Sequence, residues 1–276
     1  MPRERESEIG TLEAIAPAAN PPASKYERLV ARAKQVAAAQ TIVVHPCDES
    51  SLRGPVEAAE LGIIKPILVG PAAKIKKVAG EHGIKISDFQ LVDAPHSEAA
   101  AERAVELVHE GKGELLMKGS LHTDELMRAV TSSKTGLRTA RRISHVFIMD
   151  VPTYPETLFV TDAAINIFPD LDAKRDIIQN VVDLFTRVGL GVPRVAILSA
   201  VETVTSKIPS TIDAAALCKM ADRGQITNAI IDGPLAFDNA ISPEAARIKG
   251  IQSPVAGRRK FWSCPTSKPA TCWQRT

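Results

Sequence analysis

The chain has 276 residues, 45% of them hydrophobic, which is enough for one large α/β domain or two smaller ones with a full core. Its 34 basic and 32 acidic residues leave a net charge of +2, too balanced to argue for a nucleic-acid or membrane-surface partner. No apolar run of about 18 residues is present and the first residues lack the apolar core of a signal peptide, so a cytosolic protein is expected.

Residues 1–25 are polar, then rich in alanine and proline, and read as a flexible leader or an inter-domain linker. From Tyr26 onward, short apolar runs alternate with longer helix-like segments. Strands are expected at 41–44, 66–69, 114–117, 145–149, 158–160, 194–198 and 228–231, and helices at 26–38, 50–61, 97–110, 124–130 and 172–188. Such alternation implies crossover helices and an α/β fold with mostly parallel sheets covered on both faces. The runs around Val146 and Phe159, joined through Pro152, Tyr154 and Pro155, leave no room for a crossover helix. They predict an antiparallel excursion between two lobes.

Residues 210–257 read as a helix, a buried strand, a loop and another helix. Ala229-Ile230-Ile231 is too short for a helix, and Asp232-Gly233-Pro234 is expected to stop the strand, delivering Asp232 either to a ligand crevice or to a turn that caps the next helix. The remaining 18 residues, 259–276, hold both tryptophans and two of the four cysteines. Phe261-Trp-Ser-Cys-Pro-Thr-Ser-Lys-Pro-Ala-Thr-Cys-Trp fits neither strand nor helix.

Polar clusters follow several expected strands. His45, Asp48, Glu49, Ser50 and Arg53 come after the first, where a helix N-terminus could receive an anion or Ser50 could simply cap the helix. Lys118, Gly119, Ser120, His122 and Thr123 follow residue 117, with Arg128 on the next helix. Thr161, Asp162 and Asn166 follow 158–160; Ser199 and Glu202 follow 194–198. Glycine beside Lys118 allows close backbone approach, and a lysine there can meet phosphate, whereas His122 reads as catalytic or as a hydrogen-bonded loop histidine. With Asp232, these clusters exceed what helix capping needs. Neither a glycine-rich dinucleotide fingerprint, nor the Walker phosphate loop, nor a Gly-x-Ser-x-Gly elbow occurs. Cys47, Cys218, Cys264 and Cys272 lack zinc-site spacing and disulfide-scaffold density, so free thiols and no metal are expected.

Six segments carry a resemblance: His45-Pro-Cys-Asp-Glu-Ser-Ser-Leu-Arg-Gly, Leu116-Met-Lys-Gly-Ser-Leu-His-Thr-Asp-Glu-Leu-Met, Thr161-Asp-Ala-Ala-Ile-Asn-Ile, Ala196-Ile-Leu-Ser-Ala-Val-Glu, residues 219–242, and Lys249-Gly-Ile-Gln-Ser-Pro-Val-Ala-Gly. Through them residues 26–258 resemble the phosphate acetyl/butyryl transferase family, most closely the form found alone or fused behind an enoyl-CoA hydratase domain. The resemblance implies two α/β lobes like those of isocitrate and isopropylmalate dehydrogenases, an active site between them and a homodimer. It further implies acyl transfer between coenzyme A and inorganic phosphate, both substrates, with no cofactor. Substrate-binding positions implied in the same way are Lys118, Gly119, His122, Thr123, Arg128, Asp162, Asn166, Asp232 and Ser253.

The likeness stops at the tail. Synonymous codons for 259–275, read one base out of frame, spell AEILVVPDLEAGNMLAK, which resembles the family's continuation around VPDLEAGN. This reading implies a frameshift after Arg258, a fold lacking its last strand and closing helices, and loss of the family's base aspartate and Ser-Arg pair. Weak or absent turnover is then expected, and a catalytically silent chain that still binds coenzyme A or a partner subunit is the alternative. A metal-dependent dehydrogenase on the related fold is disfavoured, because the chain shows no matching nucleotide or carboxylate metal motif.

Overall fold

Strand β1 (Ala39–Val44) organises the first half of the molecule, because its run Ile42-Val43-Val44 is fully buried on both faces. The computed structural model describes residues 24–257 and 262–263. β1 lies between β2 (Ile64–Gly70) and β4 (Leu115–Lys118), with β3 (Gln90–Asp93) beyond β2, and every pairing is parallel. Alternate side chains of a strand point to opposite faces, and two separate cores result. Ile42, Val44, Ile67 and Val69 meet the alanine-rich face of α4 (Ser97–His109). Val43 and Leu68 meet α2 (Glu49–Glu60) and α3 (Ala72–Glu81) through Leu52, Val56, Ile75 and Val78. Helix α1 (Lys25–Ala33) precedes the sheet under a capping box at Ser24, and α5 (Thr123–Val130) follows β4.

The second half repeats the logic around β7 (Arg194–Leu198). Val195 and Ile197 pack on α6 (Leu171–Arg187) and α7 (Pro209–Asp222), together with Phe159 and Phe185. Ala196 and Leu198 face the opposite core of Leu235, Ala240, Ala246 and Val255. The expected antiparallel excursion is present as β5 (Phe147–Met149) against β6 (Leu158–Val160). A mostly parallel α/β architecture with helices packed on the sheets is therefore established.

Three local readings are corrected. Asp232-Gly233-Pro234 does not stop the strand: β8 (Ile230–Leu235) runs through it, with Asp232 opposite Ala196 and a register shift before Leu198. β8 lies at the edge of its sheet, where a proline without an N–H is tolerated, and its first residue, Ile230, is exposed rather than buried. Helix α2 is capped by Asp48, not Ser50. Past α8 (Phe237–Ile241) and α9 (Pro243–Ile248), Trp262–Ser263 forms β9, a two-residue strand parallel to β7 where the sequence predicts none. Helix α3 and strand β3 also lie where the sequence pattern assigns no element. The expected leader at 1–25 and tail at 259–276 fall, apart from residues 24–25 and 262–263, outside the described residues. Among the described residues no helix is long and apolar enough to cross a membrane.

Candidate functional site

The first sheet has the order β3-β2-β1-β4, so the chain leaves β1 toward one side and returns on the other at β4. Such a reversal opens a crevice beyond the carboxyl ends of the two strands. The backbone there is tightly tied. Gly119 N donates to Val44 O at 2.9 Å, Ser120 N to His45 O at 2.9 Å, and His45 N to Val69 O at 2.7 Å. Ser120 Oγ donates to His45 O at 2.9 Å and accepts from Cys47 N at 3.0 Å. His45 adopts φ 55°, unusual for a residue with a side chain. A Cβ on Gly119 would sit 2.5 Å from Val44 O and 2.6 Å from His45 O, so only glycine lets the strand ends approach this closely.

Lys118 is exposed at the end of β4 with one long contact, 3.4 Å to Gly119 O. Next to it, His122 and Thr123 begin α5. His122 N donates to Glu125 Oε2 at 2.8 Å while Ser97 Oγ holds Glu125 Oε1 at 2.8 Å, and Glu125 titrates below its ordinary range because of these bonds. Burial pushes the His45 imidazole below its ordinary value. At α2 the helix N-terminus is not open to an anion: the Asp48 carboxylate already accepts from Ser51 N at 2.9 Å, and Arg53 pairs with Glu49 at 2.7 Å.

A second locus lies between α5 and α6, where a cleft of about 1300 Å³ is bordered by Met127, Val130, residues 137–144, the turn 164–166 and the face of α6 that carries Asp172, Asp176, Asn180 and Leu184. Asp162, buried at the end of β6, builds that turn. Its Oδ1 accepts from Ala164 N and Ile165 N at 3.1 and 3.0 Å, and its Oδ2 accepts from Asn166 Nδ2 at 2.5 Å. Asn166 in turn donates to Ile143 O at 2.9 Å and accepts from Arg142 Nε at 2.7 Å. Arg141 Nη1 lies 2.6 Å from Asp183 Oδ2. Burial pushes the Asp183 carboxyl up, but the bonds from Arg141 and Gln179 outweigh it and the group ends below its ordinary value.

The other sequence-predicted residues lie elsewhere. Arg128 is on α5 but lines a separate groove of about 880 Å³, shared with Glu98, Glu102, Glu106, Glu110 and Glu125. Its guanidinium is 2.8 Å from Glu98 and 3.8 Å from Asp124. Asp232 Oδ1 accepts from Gly233 N at 2.9 Å, and burial together with Asp232 pushes the neighbouring Cys218 thiol up to about 11. Ser253 Oγ accepts from Val255 N and Ala256 N at 2.9 Å, closing a turn. Hydrogen bonds among the described residues thus join Asp162 to Asn166, while Lys118, Gly119, His122 and Thr123 are brought together by sequence continuity at one sheet end. Arg138, Arg141 and Arg142 are the cleft residues that sequence reading misses. Their only signal is a run of cations in a segment without helical or strand period. Among the described residues no cluster of acids, histidines and cysteines could hold a metal ion.

The model of a family described as "Phosphate acetyl/butaryl transferase" matches residues 98–262. A phosphate acetyltransferase of Rhizobium meliloti is 68% identical over 242 residues, covering 88% of this chain and 77% of that protein. A phosphate butyryltransferase of Clostridium acetobutylicum is 38% identical over 251 residues, covering 91% of this chain and 83% of that protein. Among solved structures, a branched-chain phosphotransacylase from Enterococcus faecalis V583 superposes with a TM-score of 0.70 at 26% identity, covering 84% of this chain and 82% of that one.

Proposed function

Because the chain belongs to the phosphate acetyl/butyryl transferase family, we propose that it transfers an acyl group between coenzyme A and inorganic phosphate, acetyl-CoA plus phosphate giving acetyl phosphate plus coenzyme A. The carrying observation is the 68% identity to a phosphate acetyltransferase over most of both chains. In the forward step a phosphate oxygen attacks the thioester carbonyl carbon, the carbonyl oxygen takes up negative charge, and the C–S bond then breaks to release the thiolate of coenzyme A. Such a site needs cations and N–H donors arranged before reaction, both for the phosphate dianion and for the developing oxyanion.

Lys118, beside the tightly packed Gly119, is free to supply charge at the crevice, with His122 and Thr123 at the first turn of α5. Asp162 and Asn166 act on the cleft side by fixing Arg142. Arg128 contacts substrate by exchanging Glu98 for an anion, and Asp232 and Ser253 shape the second half's approach to the site. No cofactor takes part, and the enzyme works as a cytoplasmic homodimer. Butyryl-CoA is the second choice of donor, from the likeness to the clostridial butyryltransferase.

Trapping the acyl phosphate with hydroxylamine tests the reading and the chain length together. Acyl hydroxamate forming only with phosphate present, faster from acetyl-CoA than from butyryl-CoA, is the expected result. A reversed preference assigns the butyryl reaction instead. Thioester binding without hydroxamate favours a silent chain.

A further inference from the structure

Helix α1 stands before the first sheet in sequence, yet its polar groups fasten it to the second half of the molecule. Lys25, buried although it is a lysine, donates from Nζ to Val151 O at 2.6 Å and lies 2.9 Å from Asp150 Oδ1, in the connection between β5 and β6. Tyr26 N donates to Oδ2 of the same carboxylate at 3.2 Å. About two turns later, Arg32 Nη1 donates to Val188 O at 2.5 Å, at the C-terminal end of α6 where the helix dipole favours a cation. Gly189, at φ 73°, leaves the space that this guanidinium fills. Apolar packing is slight by comparison: Leu29, Val30 and Ala33 are only half-buried, and among the described residues α1 adds nothing to the four hydrophobic cores. An element held by polar bonds over few apolar contacts opens locally at low free energy. When α1 lifts off, Lys25 returns to water, so no buried cation is left unpaired.

We propose that α1 is a detachable strap: docked, it holds the two halves closed around the cleft between α5 and α6, and released, it lets them swing apart. The chain passes from α1 to β1 through residues 34–38, where Val36 is 69% exposed, and from α5 to β5 through residues 131–146, part of which lines the cleft. With α1 docked, both passages tie the halves together; with α1 released, only the second does so among the described residues. The joint at 34–38 meets the first half at the amino end of β1. Because β4 runs parallel to β1, α5 springs from the opposite end of the sheet, about 20 Å away at roughly 3.3 Å per residue of strand. A small rotation at the joint is therefore a larger displacement at the cleft wall. The strap works in the same way whatever ligand enters the cleft.

Amide hydrogen exchange and small-angle X-ray scattering on the full chain test the strap together. The proteins compared are the unmodified chain, Lys25→Ala, Asp150→Asn, Arg32→Ala and the double variant Lys25→Ala/Arg32→Ala, with Lys77→Ala on α3 as the control. Amides of residues 26–36 are expected to exchange about tenfold faster in each single variant and faster still in the double variant, while those of β1 and β7 stay unchanged. The double variant, whose helix spends more time released, should also show a larger radius of gyration, and the control should match the unmodified chain in both measurements. Asp150→Asn keeps the size of the side chain and leaves the bond from Lys25 to Val151 in place, and Arg32 is exposed, so these two variants are expected to fold even if Lys25→Ala does not. Faster exchange of α1 in the double variant without expansion would mean that the helix lifts off without governing the halves. Faster exchange throughout the chain would make α1 part of the cooperative core. Either result overturns the strap, as does unchanged exchange of α1 in the variants.

Discussion

Two depressions flank α5, and they treat their arginines in opposite ways. On one side, the groove against α4 surrounds Arg128 with Glu98, Glu102, Glu106 and Glu110, and Glu98 takes its charge. On the other, the cleft against α6 has its acids drawn to a helix cap and to Arg175, and among the described residues Arg138 and the terminal groups of Arg142 meet no acceptor. Residue type alone does not make a binding group. What decides is whether the fold has already supplied the counter-charge, since an ion pair must be exchanged before such a residue can meet a ligand.

The contrast can be broken at its base by Gly119→Ala. The added Cβ meets backbone oxygens of Val44 and His45 at 2.5 and 2.6 Å, and neither can yield like a flexible side chain. A loss of about 3 kcal/mol is expected, read as a lower denaturant midpoint, with both depressions disturbed because α5 springs from this loop. Asn166→Ala leaves the sheet's backbone alone and removes the side-chain bonds to Arg142, Ile143 and Asp162. Without its acceptor, Arg142 loses its fixed orientation, and coenzyme A should bind about tenfold more weakly in calorimetry, a change of about 1.4 kcal/mol. Unchanged affinity would mean that Arg142 is not held for a ligand.

Glu98→Gln sharpens the comparison from the other side by freeing Arg128. The pair is exposed, so the gain is small: KM for acetyl-CoA should fall by up to about threefold if Arg128 serves the substrate, and stay constant if it does not. The smallest effect concerns the crevice. Burial holds the folded His45 below its ordinary 6.5, with Lys74 lowering it further and Ser120, Glu125 and Asp48 opposing. The unfolded chain therefore takes up this proton first. The His45 contribution is fully present above about 6.5 and is lost as pH falls from there through the lowered folded value. His45→Asn should flatten that arm of the stability curve relative to the unmodified chain.

Much of the fold was legible because its central strands are continuous buried runs: 41–44, 66–69 and 194–198 all lie within observed strands. Edge elements were not. β3 is four half-exposed residues, and Lys74, Lys76 and Lys77 obscure the apolar face of α3, where Ile75, Val78 and Ala79 point inward. β8 outlasts its Gly-Pro because an edge strand needs no donor there. At the site, the polar clusters after β1, β4 and β6 were visible as strand ends followed by glycine or acid. Their partners were not, since Glu98 lies thirty residues from Arg128 and Asn166 twenty-four from Arg142. The segment 131–146 has no period to read, and its arginines acquire meaning only once α5 and α6 enclose them.

The most direct test of the acyl-transfer account is the release of free thiol from acetyl-CoA by the purified chain, followed with and without inorganic phosphate. Thiol release that requires phosphate and saturates with it is the predicted result. No release, or release at the same rate without phosphate, as in simple thioester hydrolysis, would contradict it.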